Sequence, residues 1–250
     1  SLFKQSMIIQ MYNNPALYDA CTAHKIDDIP FYENWVNDNG TILELACGTG
    51  RIAKHLIESG FNYTGLDLSS VFIDHCRTNF PNGKFTTGDM CDFNLGQKFD
   101  LIFIPFNSFL HLYKEEEMTQ CLKSIQNHLS DNGKFLLDIF VPDPEFLYRD
   151  PDKKYEEMTI IHPNGGECTV WQKNQYKEET EINHIHWFFN RGNSEPMDEY
   201  DFDMRMIYPD TMDRVLSDSD FTIEEKWGDY DGEPFNETSL LQLYICSKRS

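Results

Sequence analysis

The run Thr41-Ile42-Leu43-Glu44-Leu45-Ala46-Cys47-Gly48-Thr49-Gly50-Arg51 constrains the fold more than any other part of the chain. An apolar strand enters a glycine-rich turn and continues into a helix. Glycine has no β-carbon, so a ligand can rest directly on the backbone of such a turn, beside the free N–H groups of the helix start. A nucleoside-bearing ligand suits this geometry. One turn of this kind is weak on its own; its meaning depends on the strands and helices downstream of it.

Those elements repeat the unit. Strand Thr41–Ala46 leads to a helix from about Arg51 to Ser59 that ends at Gly60. A second strand, Tyr63–Asp67, precedes a helix capped by Ser69 or Ser70. Strand three is Lys84–Thr87, and strand four is Asp100–Ile104, terminated by Pro105. A helix from about Glu115 to Leu129 carries acidic residues in its first turn, as the helix dipole prefers. Asp131-Asn132-Gly133 then turns the chain into strand five, Lys134–Phe140. This alternation predicts a parallel sheet with helices on both faces. Strands one, four and five are mostly apolar, as strands covered on both sides should be.

The character changes after Pro142. Residues 155–208 alternate polar with β-branched or aromatic side chains, as in Thr159-Ile160-Ile161, Cys168-Thr169-Val170-Trp171 and Ile182-Asn183-His184-Ile185-His186-Trp187-Phe188-Phe189. They read as antiparallel strands joined by turns at Asn164-Gly165-Gly166 and Arg191-Gly192-Asn193. A short helix over Thr211–Ser217 and strands Phe221–Lys226 and Leu240–Ser247 complete the chain. At the other end, residues 1–40 read as helical, with Met7, Ile8 and Met11 at helical spacing and with Pro15 and Pro30 as breaks. The expected division is an N-terminal helical cap (1–40), a core (41–142 and 210–250) and an antiparallel insert (143–209), serving as a lid or a dimer surface. The 250 residues are enough for one such core with a sizeable insert.

Four signals gather at the carboxyl ends of the expected parallel strands, where such sheets bind ligands. The first is Glu44-x-Ala46-x-Gly48-x-Gly50. The second is Asp67, 17 positions after Gly50, where a carboxylate can accept hydrogen bonds from two ribose hydroxyls. The third is Asp89-Met90, where Asp89 or a nearby backbone group can read an adenine amine. The fourth is Pro105-Phe106-Asn107-Ser108.

These residues resemble those of the class I S-adenosylmethionine-dependent methyltransferases, over about residues 40–140. The resemblance implies a Rossmann-like, doubly wound, mostly parallel seven-stranded sheet with a reversed last strand, here with an antiparallel β insert after strand five. Motif one matches the family's acidic-x-Gly-x-Gly-x-Gly pattern, with Ala46 in place of the first glycine. By the resemblance, Glu44 is the motif's acidic residue, and Ala46, Gly48 and Gly50 cradle the methionine part of the cofactor. Cys47, Thr49 and Arg51 belong to the same turn. Asp67 holds the ribose beside Leu68, and Asp89 and Met90 flank the adenine. The implied chemistry is in-line methyl transfer to a small-molecule acceptor.

The rival is a nicotinamide dehydrogenase, whose turn needs G-x-G-x-x-G/A. Gly48, Gly50 and Ala53 satisfy that spacing, but Glu44, the tight Gly48-Thr49-Gly50-Arg51 turn and Asp89 match the methyltransferase pattern better. A narrower resemblance lies in the insert, in Asn107-Ser108-Phe109-Leu110-His111-Leu112 and in Tyr18-Asp19. These are similar to small-molecule N-methyltransferases acting on nucleotide-linked amino sugars and, more loosely, on glycine. They imply an amine acceptor, with O-methylation of a hydroxylated metabolite and a non-catalytic cofactor-binding protein as the alternatives.

Individual side chains carry paired readings. His111, just beyond strand four, is either the base that takes a proton from the acceptor or a helix-capping residue. Tyr18 either closes over the sulfonium end or packs on its own helix. Phe106 either lines the methyl-transfer channel or simply packs. Asp138, inside strand five, reads as a hydrogen-bonded buried carboxylate. His184 and His186 share a strand face, but no third and fourth ligand stand at metal-site spacing, so no metal is expected. Trp171, Trp187, Phe188 and Phe189 read as insert core or as a lid or dimer face.

Charge and cysteine content restrict the partners. Forty-two acidic against 21 basic residues give a formal charge of −21, which repels nucleic acid and anionic membranes. The acidity serves solubility and also suits a cationic cofactor or amine substrate. The seven cysteines are scattered, with no C-x-x-C pair, which fits free thiols in a reducing cytoplasm. No apolar run approaches a membrane span, and no basic-then-apolar targeting pattern opens the chain. A homodimer through the insert is the expected self-association.

Overall fold

The computed structural model describes residues 11–37, 39–192 and 194–249. The strands are β1 (Thr41–Leu45), β2 (Asn62–Asp67), β3 (Lys84–Thr87), β4 (Phe99–Ile104), β5 (Leu129–Phe140), β6 (Tyr155–Ile161), β7 (Glu167–Lys177), β8 (Ile182–Asn190), β9 (Asp198–Arg205), β10 (Phe221–Trp227) and β11 (Leu241–Lys248). The α-helices are α1 (Pro15–Thr22), α2 (Ile29–Glu33), α3 (Arg51–Glu58), α4 (Ser70–Asn79), α5 (Glu115–His128), α6 (Pro144–Leu147) and α7 (Pro209–Asp218). The chain divides into two compact units. One contains the described residues up to Lys25 together with Pro142–Met206; the other contains Ile26–Val141 and the described residues from Ile207 onward.

The larger unit is a seven-stranded sheet in the order β10-β11-β5-β4-β1-β2-β3. β1 through β5 are parallel, and β11 runs antiparallel to both β5 and β10. The chain winds outward from β1 through β2 to β3, then returns to place β4 on the other side of β1. Direction therefore reverses between β1 and β4, where the loops splay apart and leave a crevice. Ile42, Leu43, Leu45, the run Leu101–Ile104 and Phe135, Leu136, Leu137 and Ile139 are sealed from solvent. Each such side chain contributes about 2 kcal/mol of hydrophobic stabilisation. α3 lays Ile52, Ala53 and Leu56 onto the sheet. The Ser69 Oγ accepts the Phe72 N–H at 3.2 Å and starts α4. Glu117 folds back to accept the N–H of Lys114, the residue capping α5, and that of Tyr113.

The smaller unit is a four-stranded antiparallel meander, β6-β7-β8-β9, with α1. Leu17 and Cys21 of α1 pack with Ile160, Cys168, Val170 and Phe189 in its own core. Gly165 and Gly166 turn β6 into β7 with φ of 86° and 85°, the left-handed conformations that a tight hairpin needs. Phe189 is core, and Trp187 is half-buried with its indole N–H donating to Gln172 at 2.7 Å.

Several local expectations are corrected. The N-terminal segment does divide at Pro15 and Pro30, but each proline starts a helix instead of ending one: it lies in the first turn, where the missing N–H has no intrahelical role. Asn14 caps α1 by accepting the Leu17 N–H. The Asp131-Asn132-Gly133 turn is a bulge within β5, whose pairing with β4 jumps from Phe99–Leu129 to Leu101–Lys134. The stretch read as one N-terminal cap divides at Lys25, so that α1 sorts with the meander and α2 with the seven-stranded sheet. Met7, Ile8 and Asn193 lie outside the described residues.

Gly65 of β2 faces Glu44 of β1 in register. A β-carbon there would lie 2.9 Å from the Cys47 Sγ and 2.9 Å from the Tyr63 hydroxyl. Gly65→Ala should therefore lower stability by about 1–3 kcal/mol, the scale of overpacking a closed core. Urea unfolding of the variant against the parent chain measures it.

Candidate functional site

The glycine turn is built by left-handed backbone. Ala46, Gly48 and Gly50 have φ of 60°, 56° and 91°, so the chain reverses after β1 within five residues and enters α3. A β-carbon on Gly50 would meet Phe80 at 2.6 Å. Ala46 holds a conformation that is about 1 kcal/mol dearer for an L-residue with a β-carbon than for glycine. Neighbouring strands hold the turn open. The Cys47 N–H donates to the Leu66 carbonyl at 3.1 Å, the Gly48 N–H to Asp67 Oδ2 at 2.8 Å, and the Cys76 thiol to the Gly48 carbonyl at 3.3 Å.

Asp67 stands at the carboxyl end of β2, partly open to solvent. Its Oδ1 accepts the Ser69 N–H at 2.8 Å. A carboxylate offers about four acceptor positions, so lone pairs remain for ribose hydroxyls. Desolvation raises its pKa, opposed by the backbone N–H groups of Ser69, Gly48 and Leu68. Leu68 is exposed, Asp89 is exposed and Met90 half-buried. The Gly88 N–H bonds the Asp67 carbonyl at 2.9 Å, bringing the β3 end beside the β2 end. A glycine cradle, a carboxylate on the strand next to the sheet edge and apolar flanks are what a nucleoside with a methionine tail requires, and these residues fit S-adenosylmethionine.

Phe106 and Asn107 come after β4 with φ of 46° and 65°. β5 fixes this corner. The Asn107 N–H donates to the Asp138 carbonyl at 3.0 Å, and its Oδ1 accepts the Phe140 N–H at 2.8 Å. Asp138 Oδ2 accepts Tyr32 at 2.6 Å, Tyr230 at 2.8 Å and the Phe106 N–H at 3.4 Å. His111 ends the next element, the 3₁₀ turn Ser108–His111, and is half-buried.

The structure thus brings the 46–50 turn, Asp67–Leu68, Asp89–Met90 and Phe106 to the ends of four adjacent strands. Two residues from the expected cofactor set look elsewhere. Glu44 is 2% exposed inside β1 and accepts the Tyr63 hydroxyl at 2.5 Å. Arg51 forms a bidentate pair with the fully buried Asp28, both bonds 2.7 Å, and its guanidinium lies 5.5 Å from the Phe106 ring centre. Cys47 and Thr49 are buried in the turn. Tyr18 belongs to the smaller unit, 5.9 Å from the Tyr12 ring. His184 and His186 bond Asp203, Asp201 and Glu199 on β9, and no metal-holding cluster exists among the described residues.

Four supporting residues have no sequence signature: Asp28, Tyr32, Tyr63 and Tyr230. The signal that existed was on their partners. A carboxylate inside an apolar strand, as at Glu44 and Asp138, must find a donor elsewhere in the chain.

Burial pushes the Glu44 carboxyl up to about 8, while the Tyr63 hydroxyl and Arg51 pull it back. The folded chain therefore keeps a proton that the unfolded chain releases above the ordinary value of 4.5, and this contribution to stability is lost as pH rises from there to about 8. Glu44→Gln keeps an acceptor for Tyr63 and removes the ionisation. Above pH 8 it should exceed the parent in stability by on the order of 3 kcal/mol, a difference that shrinks toward pH 5. Urea midpoints across that range test it.

Residues 42–133 match a family model described as a methyltransferase domain. Over 98 residues the chain is 33% identical to dTDP-3-amino-3,4,6-trideoxy-alpha-D-glucopyranose N,N-dimethyltransferase of Streptomyces venezuelae, covering 39% of this chain and 41% of that protein. The match therefore spans less than half the length of that relative. Putative methyltransferase YqeM of Bacillus subtilis is 25% identical over 90% of this chain and 92% of its own length. An S-adenosylmethionine-dependent methyltransferase from Clostridium acetobutylicum superposes with a TM-score of 0.77 at 19% identity, covering 96% of this chain and all of that one, a likeness of fold. The matched domain begins on β1 and carries the glycine turn, so residues 42–133 read as a methyltransferase domain, and the chain is similar to class I S-adenosylmethionine-dependent methyltransferases, sugar N-methyltransferases among them.

Proposed function

We propose that this chain transfers a methyl group to the amine nitrogen of a small-molecule acceptor. The observation that carries the reading is the convergence of the glycine turn, Asp67 and the Phe106–Asn107 corner on the crevice between β1 and β4. The amine is supported by the relative from Streptomyces venezuelae, whose name describes an N,N-dimethyltransferase of a nucleotide-linked amino sugar.

S-adenosylmethionine, when bound, supplies a methyl group on a sulfonium that is already a good leaving group. Alignment is then the main task of the protein, and holding reactants in line can account for much of the acceleration. In this reading Gly48 and Gly50 present bare backbone to the methionine end, and Asp67 accepts the ribose hydroxyls. Leu68 and Met90 flank the adenine, with Asp89 or its backbone at the amine. Phe106 borders the path of the methyl group. An ammonium has no lone pair, so the acceptor must lose a proton before it attacks. His111 is the proposed base, and Tyr18 the proposed cover of the sulfonium end. The seven cysteines are free thiols, and among the described residues no helix is long and apolar enough to cross a membrane. Both suit the proposed cytoplasmic setting.

Calorimetric titration with S-adenosylhomocysteine, with NAD as the control, tests the cofactor; binding of NAD alone would overturn the reading. Asp67→Ala should weaken S-adenosylhomocysteine binding by about 1–3 kcal/mol, the loss of charge-assisted hydrogen bonds, and unchanged affinity would remove Asp67 from the ribose site. His111→Ala should lower turnover by about 100-fold or more with cofactor affinity nearly intact, and a fully active variant would exclude it as an essential base.

A further inference from the structure

The meander of the smaller unit hides hydrogen-bond donors that no group of the described residues accepts. Its covered face carries Gln172 and Asn174 of β7, 2% and 3% exposed. Groups that can only donate fix the orientation of both amides. The Trp187 indole N–H donates to Gln172 Oε1 at 2.7 Å, and the Arg149 Nε–H donates to Asn174 Oδ1. The Asn174 amide nitrogen donates in turn to the Phe146 carbonyl at 3.2 Å and to Asn183 Oδ1 at 3.3 Å. Gln172 Nε2 and Arg149 Nη2 are left over. Both are sealed from solvent, and neither has an acceptor among the described residues. Such donors are rare in native interiors, because the group gives up water and receives nothing for it.

The two donors lie side by side. Tyr155 of β6 stands opposite Gln172 in register, so the two side chains share one face of the sheet. The Arg149 guanidinium stacks over that tyrosine, 4.2 Å from its ring centre, and lies 4.3 Å from the ring centre of Phe146. Its Nε is held by Asn174, two residues from Gln172 on the same face of β7. Asn183 Nδ2 is a third donor without an acceptor, but Asn183 faces Tyr176, four residues along β7 from Gln172, and takes no part.

Charge singles out Arg149. The chain has 42 acidic against 21 basic residues, yet no carboxylate of the described residues reaches ion-pair distance of this guanidinium. Arg51, Arg205 and Arg214 each have one. Arg149 feels Glu157 only at longer range. Burial lowers the Arg149 pKa and raises that of Glu157, and each charge opposes the shift of the other. Arg149, Phe146 and Tyr155 are half-buried, so the rim of this corner reaches solvent. A guanidinium N–H beside an amide N–H suits the two oxygens of a carboxylate. The flat aromatic faces suit a planar group, and the Glu157 charge disfavours a dianion.

We propose that Arg149 Nη2 and Gln172 Nε2 bind the carboxylate of a small organic acid. The site is formed wholly by the smaller unit, and it stands whether or not the chain transfers methyl groups.

The test is NMR titration of the full chain with acetate and benzoate. Sodium phosphate is the tetrahedral comparison, and sodium chloride at matched ionic strength is the baseline. A carboxylate should bind saturably and shift the indole N–H resonance of Trp187, which is assigned by its loss in Trp187→Phe. Arg149→Gln should weaken binding about tenfold or more, the scale of a lost charge-assisted hydrogen bond. Arg149→Lys keeps the charge without the fork and should weaken it comparably, so the test survives if the first variant fails to fold. Gln172→Glu keeps the acceptor for Trp187 and places a carboxylate of the chain beside Arg149; it should abolish binding. Arg191→Gln removes the same charge from the far end of β8 and should change nothing. Circular dichroism checks the fold of each variant. Equal weakening by Arg191→Gln would reduce the effect to overall charge and overturn the site. No saturable binding of either carboxylate, a Trp187 resonance that stays in place, or tighter binding of phosphate also overturns it.

Discussion

A parallel strand covered on both faces offers no water to a charged side chain, yet β1 and β5 each carry a carboxylate within their length. Glu44 and Asp138 are 2% and 1% exposed. An isolated ionised carboxylate in such surroundings would be destabilised by several kcal/mol, so each must be hydrogen-bonded or neutral. Each is hydrogen-bonded. Tyr63 donates to Glu44, and Tyr32 and Tyr230 donate to Asp138. Burial raises the pKa of both acids, and it raises those of Tyr32 and Tyr63 as well, so the hydroxyls keep their protons to donate. The order of the sheet is a consequence. Tyr63 must stand on the strand beside Glu44, and Gly65 must be small to let the two meet.

These same bonds govern the two corners of the crevice. Ala46, Phe106 and Asn107 all hold left-handed backbone, a conformation that is unfavourable for bulky residues and persists only where the surroundings over-determine it. At the first corner, Asp67 and the Leu66 carbonyl grip consecutive N–H groups of the turn. At the second, Asp138 takes the Phe106 N–H with its side chain and the Asn107 N–H with its carbonyl. Tyr32 and Tyr230 hold that carboxylate from α2 and from the loop before β11. The geometry near the proposed methyl path therefore depends on residues distant in sequence.

That dependence explains what could be read from the chain alone. The strand-turn-helix periodicity and the residues at four strand ends were legible, because each is encoded locally by apolar runs, glycines and terminal carboxylates, while the reversed last strand came only from the resemblance to a known family. The meander was legible from its two-residue alternation. The partners of Glu44, Arg51 and Asp138 were not, because a tyrosine or aspartate tens of residues away carries no mark of whom it will meet. Arg51 shows the difference well. Its place in the glycine turn suggests a ligand contact, but Asp28 takes both arms of its guanidinium. Pro15 and Pro30 marked the divisions of the N-terminal segment, and what the sequence left open was that each begins a helix: proline breaks a helix interior but suits a first turn.

The acidity of the chain gains a place once the fold is known. Methylation of a neutral amine by a sulfonium moves one positive charge from sulfur to nitrogen. The cofactor end of the crevice offers the Asp67 carboxylate, which lies at the ribose in the proposed pose and not at the sulfur. The loop between β10 and β11 and the start of α7 concentrate carboxylates beyond the end of β5. A field that becomes more negative away from the cofactor turn favours a positive charge that leaves the sulfur, and fixed carboxylates need no reorganisation as it arrives.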